Sequence, residues 1–157
     1  MKNNKLAAIV TCLAITSGCT SIPSLDSSSP DYLKTMSFQP IEDKAVLYMY
    51  RTKLSDFQGA VTTVDIGEVD LAIFPNCVHR FELAAGKYNF EPDGFGTFAI
   101  EKEIELELKN GTVNFVELHH TSRIAIPNVS KVMIKTQDDF EKVMATDELC
   151  VTPIKMI

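Results

Sequence analysis

Short runs of apolar and β-branched residues, separated by Gly, Pro and Asn, recur along the chain from residue 44 onward. They predict β-strands at residues 44–50, 61–66, 69–74, 77–83, 88–91, 98–108, 112–118, 123–126 and 131–135. The first run is apolar on both faces, which is typical of a central strand in a covered sheet. Many short strands with turn residues between them indicate two packed sheets, and we expect a mainly β protein, an antiparallel β-sandwich.

The segment 98–108 shows the clearest alternation in the chain. One face carries Ile100, Ile104, Leu106 and Leu108, and the other carries Glu101, Glu103, Glu105 and Glu107. We expect a single strand with a solvated acidic face, the alternative being an acidic strip that binds a cationic partner or calcium. The Asn110-Gly111 pair predicts a hairpin to the next strand, and Gly67-Glu68 predicts a tight turn with Gly in II′ geometry.

Two segments have helical signals. Thr136, followed by acidic residues, is a typical N-cap, and it predicts a short C-terminal helix that runs to about residue 145. Phe140, Val143 and Met144 give this helix an apolar stripe, and we expect it across an edge or end of the sandwich. Residues 31–40 predict a short helix or an arm packed on the domain.

The N-terminal residues have the pattern of an export signal. Lys2 and Lys5 precede a short apolar run, and small residues then lead to Cys19. This ending resembles the lipobox of bacterial lipoproteins, which implies cleavage before Cys19 and acylation of its thiol. A soluble secreted protein with a coincidental cysteine is the alternative.

The domain organisation follows from this interpretation. We expect a signal peptide at 1–18, a lipidated Cys19 with a flexible Ser- and Pro-rich tether at 19–40, and the sandwich at 41–157. Thr20 stands where an Asp would retain a lipoprotein at the inner membrane, so we predict an outer-membrane lipoprotein of a Gram-negative cell that faces the periplasm. Its membrane contact is the N-terminal lipid anchor.

Composition narrows the classes of partner. The 157 residues carry 15 basic and 21 acidic side chains, a formal charge of −6 that becomes −8 when Lys2 and Lys5 leave with the signal. An acidic chain without clustered Lys and Arg is repelled by phosphates, so we expect no nucleic acid among its partners. The length after export allows one small domain.

Residues 44–92 carry three short elements that resemble one family. These are the Tyr50-Arg51 pair at the end of the first strand, the Asp65-Ile66-Gly67 turn, and the turn at Ala84, Ala85 and Gly86. They are similar to motifs of the bacterial lipoprotein family of unknown function DUF2846. The resemblance implies a transthyretin-like (prealbumin-like) or PEGA-like sandwich tethered to an envelope membrane, with no catalytic residue to carry over.

Cys77 and Cys150 are the two cysteines of the mature chain besides Cys19. Because the periplasm is oxidising, we predict a disulfide between them. A free buried thiol remains an alternative, as does a nucleophile or metal site that combines Cys77 with His79, two residues further along the same strand face. His119 and His120 are adjacent and should point to opposite faces, and we expect a surface or loop role for both.

Arg51 and Phe57 are the possible binding residues. Arg51 ends an apolar strand, where it could bond loop carbonyls or capture an anion. Phe57 lies in a polar loop, where it could contact a partner or join the core. We expect no catalytic residue, no metal and no cofactor, and therefore no enzyme.

Two functions remain open at the level of sequence. The first is a non-catalytic interaction or structural module of the cell envelope that docks on another envelope protein by a sheet edge or by loops. The second is a binding module for a small molecule, glycan or peptidoglycan fragment, which would need a concave pocket. The absence of Trp favours the first.

Overall fold

Two β-sheets pack face to face in the computed structural model, which describes residues 22–94, 99–122 and 127–157. In chain order the elements are α1 (Pro30–Met36), β1 (Ala45–Tyr50), β2 (Thr62–Ile66), β3 (Val69–Ile73), β4 (Cys77–Leu83), β5 (Gly86–Pro92), β6 (Ile100–Lys102), β7 (Ile104–Leu108), β8 (Val113–Thr121), β9 (Val129–Lys135), α2 (Gln137–Thr146), β10 (Cys150–Val151) and β11 (Lys155–Met156). The predicted mainly β sandwich with a short C-terminal helix is confirmed.

The two sheets differ in strand direction. The smaller sheet has the order β3-β2-β5-β7 and is antiparallel throughout, as predicted. The larger sheet, β10-β4-β1-β8-β9-β6 with β11 also on β4, is mixed, because β1 pairs with β8 in parallel and β4 pairs with β10 in parallel. Between β1 and β8 the chain builds the whole smaller sheet, which supplies the long crossover that a parallel pair needs.

β1 is buried on both faces, as its apolar pattern predicts. Leu47 and Met49 point between the sheets, where they join the main core. Tyr48 and Tyr50 point to the outer side of the larger sheet, where they pack against Phe140 of α2. The larger sheet is therefore the middle layer of three: smaller sheet, larger sheet, and a cover that includes α2.

The single strand predicted at 98–108 is wrong. Residues 100–102 form β6 in the larger sheet, and residues 104–108 form β7 in the smaller sheet, so the chain changes sheet at Glu103. Ile100 is 46% exposed, whereas Leu108 is buried. Alternation continues through the change of sheet, which is why the pattern cannot reveal it. The four glutamates of the segment are exposed, in agreement with a solvated face.

The two predicted turns have different outcomes. Ile66 pairs with Val69 around Gly67, whose φ is +64°, and the predicted hairpin between β2 and β3 is confirmed. Gly111 also has a positive φ, +70°, but β7 and β8 lie in different sheets. The Asn-Gly turn thus leads from one sheet to the other, and the predicted hairpin there is wrong. The strand predicted at 123–126 lies outside the described residues.

Both helices cover the outer side of the larger sheet. Thr136 caps α2 and forms a capping box with Asp139, as the N-cap prediction required. Its apolar stripe packs on the sheet face and not across an edge or end, because the outward aromatic residues of β1 and β8 need a cover. Residues 30–36 form the short helix anticipated for the arm, with Ser29 as N-cap.

Candidate functional site

Three segments meet where β1 ends and β4 begins. Residues 51–61, 74–76 and 147–149, here called the loop end, are linked by hydrogen bonds from Lys53 N–H to Asp147 Oδ2 (3.3 Å) and from Asn76 Nδ2 to the Glu148 carbonyl (3.4 Å). The loop end contains the two possible binding residues and borders the disulfide. The loop end is therefore the candidate site.

Arg51 organises the longest of these loops from within. Its side chain is fully buried, and its guanidinium donates to the carbonyl oxygens of Ala60 (2.7 Å), Asp56 (2.5 Å) and Phe57 and to Ser55 Oγ (3.3 Å). Burial lowers the pKa of Arg51 to about 10, which leaves the group charged at neutral pH. These are the bonds expected of an arginine that holds loop carbonyls, while capture of an anion stays a prediction.

Phe57 turns toward the sandwich. It is half-buried, has a positive φ of +60°, and places its ring 6.5 Å from the imidazole of His120, centroid to centroid. Gln58 closes the same loop through hydrogen bonds from Nε2 to the carbonyls of Thr52 (2.8 Å) and Ser55. The loop is therefore ordered by its own hydrogen bonds, and Phe57 lies beside another side chain of the domain. Contact of Phe57 with a partner stays a prediction.

The predicted disulfide is confirmed. Cys77 and Cys150 are bonded, with their Cα atoms 4.4 Å apart, and they face each other in the parallel pair of β4 and β10. The bond lies in the wall of an open groove of about 440 Å³. The groove is also lined by Ile22, Lys53, Gln58, Pro75, Asn76 and Glu148.

His79 is a structural residue of the core. Its ring stacks between Phe74 and Phe81, its Nε2 accepts the Phe74 N–H at 3.0 Å, and its Nδ1 lies 3.0 Å from Thr152 Oγ1. Burial, with a smaller contribution from Lys155, lowers the pKa of His79 to about 3. With Cys77 in a disulfide and His79 neutral and engaged, the two do not form the nucleophile or metal pair that their spacing allowed.

The adjacent histidines lie on β8 and face opposite sides of the sheet. The surface or loop role expected of His120 is wrong, because this residue is buried and its Nδ1 lies 2.7 Å from Ser130 Oγ. Burial, followed by the charge of Arg51, lowers the pKa of His120 to about 4. His119 lies beside the buried Glu117, with 3.6 Å between Nδ1 and Oε1.

One buried polar network, centred on Arg80, is not predicted by the sequence pattern. Arg80 of β4 is buried and donates to Tyr48 Oη (2.8 Å), to the Lys34 carbonyl (3.0 Å) and to Glu82 Oε1 (3.2 Å). Lys34 of α1 also pairs with Glu82, at 2.7 Å. These bonds fasten α1 to the larger sheet. Arg80 lies opposite Tyr48 in the pairing of β4 with β1, and no local pattern in residues 77–83 reveals that partner.

The part of the chain that the structure describes contains neither a metal-ligand cluster nor a membrane-spanning helix. Within 22–94, 99–122 and 127–157, no group of three or more His, Cys, Asp and Glu side chains is placed to hold a metal ion. The helices in this part of the chain are too short or too polar to cross a membrane. Cys19 and residues 1–18, the predicted signal, lie outside the described ranges.

Comparison with known proteins assigns the chain to no family. No protein-family model matches the chain, and no curated protein matches it. The resemblance of residues 44–92 to the lipoprotein family therefore stays a prediction.

Proposed function

We propose that the chain is an outer-membrane-anchored lipoprotein whose sandwich is a non-catalytic interaction module of the cell envelope, facing the periplasm. The observation that carries this proposal is the Cys77–Cys150 disulfide. Disulfides persist in oxidising compartments such as the periplasm and are rare in the cytosol. The bond thus supports the export that the signal at residues 1–18 indicates, and Cys19 supplies the thiol for the anchor.

The chemistry of the domain supports interaction over catalysis. Cys77 is held in the disulfide, and His79 and His120 are buried with lowered pKa values that keep both rings neutral. Arg51 and Arg80 donate to carbonyl and hydroxyl oxygens within the domain. These buried side chains stabilise the fold, and contacts with a partner are then made by the exposed surface.

Sheet edges are the best candidates for those contacts. Within the described residues, β3 and β7 each pair with one neighbour and form the two edges of the smaller sheet. An exposed edge presents backbone N–H and C=O groups to which an extended segment of a partner can add as a strand. We propose that another envelope protein docks on such an edge.

The groove beside the disulfide favours a second candidate function, binding of a small molecule, glycan or peptidoglycan fragment. Its wall carries Lys53, Asn76 and Glu148, which could bond a polar ligand. Among the described residues that line it there is no aromatic side chain, whereas ligand pockets are lined mainly by hydrophobic and aromatic groups. This second function is therefore the weaker of the two.

Site-specific photo-crosslinking in intact cells tests the proposal. A photoreactive amino acid is placed at Asp70 on β3, at Glu105 on β7 and, as a control, at Glu141 on the exposed face of α2. We expect one discrete adduct with an envelope protein from an edge position and none from Glu141. Absence of an adduct at both edges, or equal adducts at all three positions, would contradict docking at an edge.

A further inference from the structure

The N-terminal segment is attached to the loop end of the sandwich. The backbone N–H of Leu25 donates to the carbonyl of Val151 in β10 at 2.7 Å. Ile22 lines the groove together with Lys53 and the disulfide. Because β10 is itself bonded to β4 through Cys150, the segment that leads to the N-terminus is held on a fixed strand.

The distance from this attachment to the proposed anchor is short. Three peptide units separate Ile22 from Cys19, and each spans at most about 3.6 Å, so the two Cα atoms lie within about 11 Å of each other. Even from Leu25, the limit is about 22 Å. An acylated Cys19 lies at the bilayer surface, and the loop end must then lie near that surface.

The loop end also presents an apolar side chain to the outside. Leu54 is 84% exposed and follows Lys53, while Ile22 is 40% exposed. The loop that carries Leu54 is held by the buried Arg51, so this exposure belongs to an ordered loop. An apolar side chain beside a lysine suits the membrane interface, where the apolar part enters the lipid and the ammonium stays among the headgroups.

From these observations we infer that the loop end rests on the lipid bilayer, with Leu54 inserted at the level of the headgroups. This inference rests on the proposed acylation of Cys19. The opposite end of the sandwich, which includes Lys109, then points into the periplasm. The two ends are separated by the length of β8, about 26 Å at about 3.3 Å per residue.

Quenching by lipids of known depth tests this orientation. Leu54→Cys and Lys109→Cys are each labelled with an environment-sensitive fluorophore, in lipidated protein purified from membranes without reductant. Cys77 and Cys150 are bonded and Cys19 is acylated, so the introduced thiol is the labelled one. Both positions are exposed, so neither substitution threatens folding. The protein is reconstituted in vesicles of phosphatidylethanolamine and phosphatidylglycerol, with a phosphatidylcholine that carries a doxyl quencher near its headgroup.

We expect the label at position 54 to lose most of its emission and the label at position 109 to keep its emission. If the protein floats with the vesicles and yet shows equal quenching at the two positions, or none at either, the orientation is overturned. That result would not contradict the acylation of Cys19. If position 54 is shielded from aqueous iodide but is not quenched by the lipid, the loop contacts a second copy of the chain. That result would also overturn the proposed orientation. Unmodified protein that fails to float would refute the acylation and the orientation together.

Discussion

The carbonyl oxygen of Ala60 accepts a hydrogen bond from the buried guanidinium of Arg51, nine residues earlier, across 2.7 Å. The loop between them folds around this cation, whose other donors reach the carbonyls of Asp56 and Phe57. The same loop is tied to β8, because Asp56 N–H donates to the His120 carbonyl at 2.9 Å. Arg51 therefore fixes the surface that the loop end presents.

Removal of this cation should destabilise the domain. We expect Arg51→Met to lower the free energy of unfolding by about 3 kcal/mol, because the partly buried loop carbonyls lose the guanidinium that they bond. Arg51→Lys should recover little of that loss, since an ammonium cannot reach several carbonyls as a planar fork does. Urea denaturation measures both. The control is Lys53→Met at the exposed neighbour, for which a change within about 0.5 kcal/mol is expected. Equal stability of the parent, Arg51→Met and Arg51→Lys would refute the role of Arg51 in holding the loop.

The disulfide joins residues 73 positions apart and pins the C-terminal strand to β4. The double variant Cys77→Ala, Cys150→Ala should lose roughly 4 kcal/mol of unfolding free energy, because the bond restricts the unfolded chain. Denaturation of oxidised protein, of reduced protein and of the double variant gives the comparison. Reduction should reproduce the effect of the double substitution. A loss below about 1 kcal/mol in both would show that the bond adds little to the fold.

Acid should weaken the domain through His79. Its folded-state pKa of about 3 lies below the ordinary value of about 6.5, so the unfolded chain binds a proton that the folded chain excludes. The contribution of neutral His79 to the free energy of unfolding is fully present above about pH 6.5 and is lost as the pH falls toward about 3. Between about pH 7 and about pH 5 the loss is on the order of 2 kcal/mol.

The variant His79→Gln separates this effect from the titration of carboxylates. It should be less stable than the parent at neutral pH, because the stacked ring is lost, yet it should lose less stability on acidification. Urea titrations at the two pH values measure the difference. The same pH dependence in parent and variant would show that His79 does not cause the acid sensitivity.

Three carboxylates face one another across the smaller sheet. Asp65 on β2 is the direct cross-strand partner of Asp70 on β3 and of Glu91 on β5. Partial burial, followed by the neighbouring charges of Asp70, Asp93 and Glu101, raises the pKa of Asp65. Like charges placed opposite each other in a sheet are destabilising.

We expect Asp65→Asn to raise the free energy of unfolding by about 0.5 kcal/mol near neutral pH, with a smaller gain at high salt. Glu105→Gln is the matched control on the same face, because its carboxylate lies 3.3 Å from Lys87 Nζ, and it should cost no more than about 0.5 kcal/mol. A large loss from Asp65→Asn, or a melting temperature that depends on added metal, would show that these carboxylates form a binding site.

Local patterns predicted most strands. Alternation in residues 77–83 places Cys77, Phe81 and Leu83 on one face of β4, and all three are buried. The two-sided apolar run of β1 predicted a covered sheet, which α2 and the arm provide. These features depend on neighbours a few residues apart, and sequence periodicity reports them directly.

The sequence pattern did not predict the features of the fold that depend on distant segments of the chain. The change of sheet at Glu103 preserves the alternation, so it leaves no mark in the sequence. Arg80 and Glu82 are buried beneath the arm of residues 30–40, and no local pattern links segments so far apart. Arg51 was recognised as a residue of interest, and the structure adds which loop carbonyls it holds.

The most direct test of the account is the intact mass of the protein and of its N-terminal peptide, purified from envelopes of cells that express the full chain. We predict a mature chain that begins at Cys19, carries a diacylglyceryl group on the thiol and floats with the outer membrane. Cys19→Ser should lack this modification and leave the membrane fraction. A parent chain that is uncleaved, or that begins at an unmodified residue and is recovered in the soluble fraction, would contradict the central claim that this sandwich is a lipid-anchored envelope module.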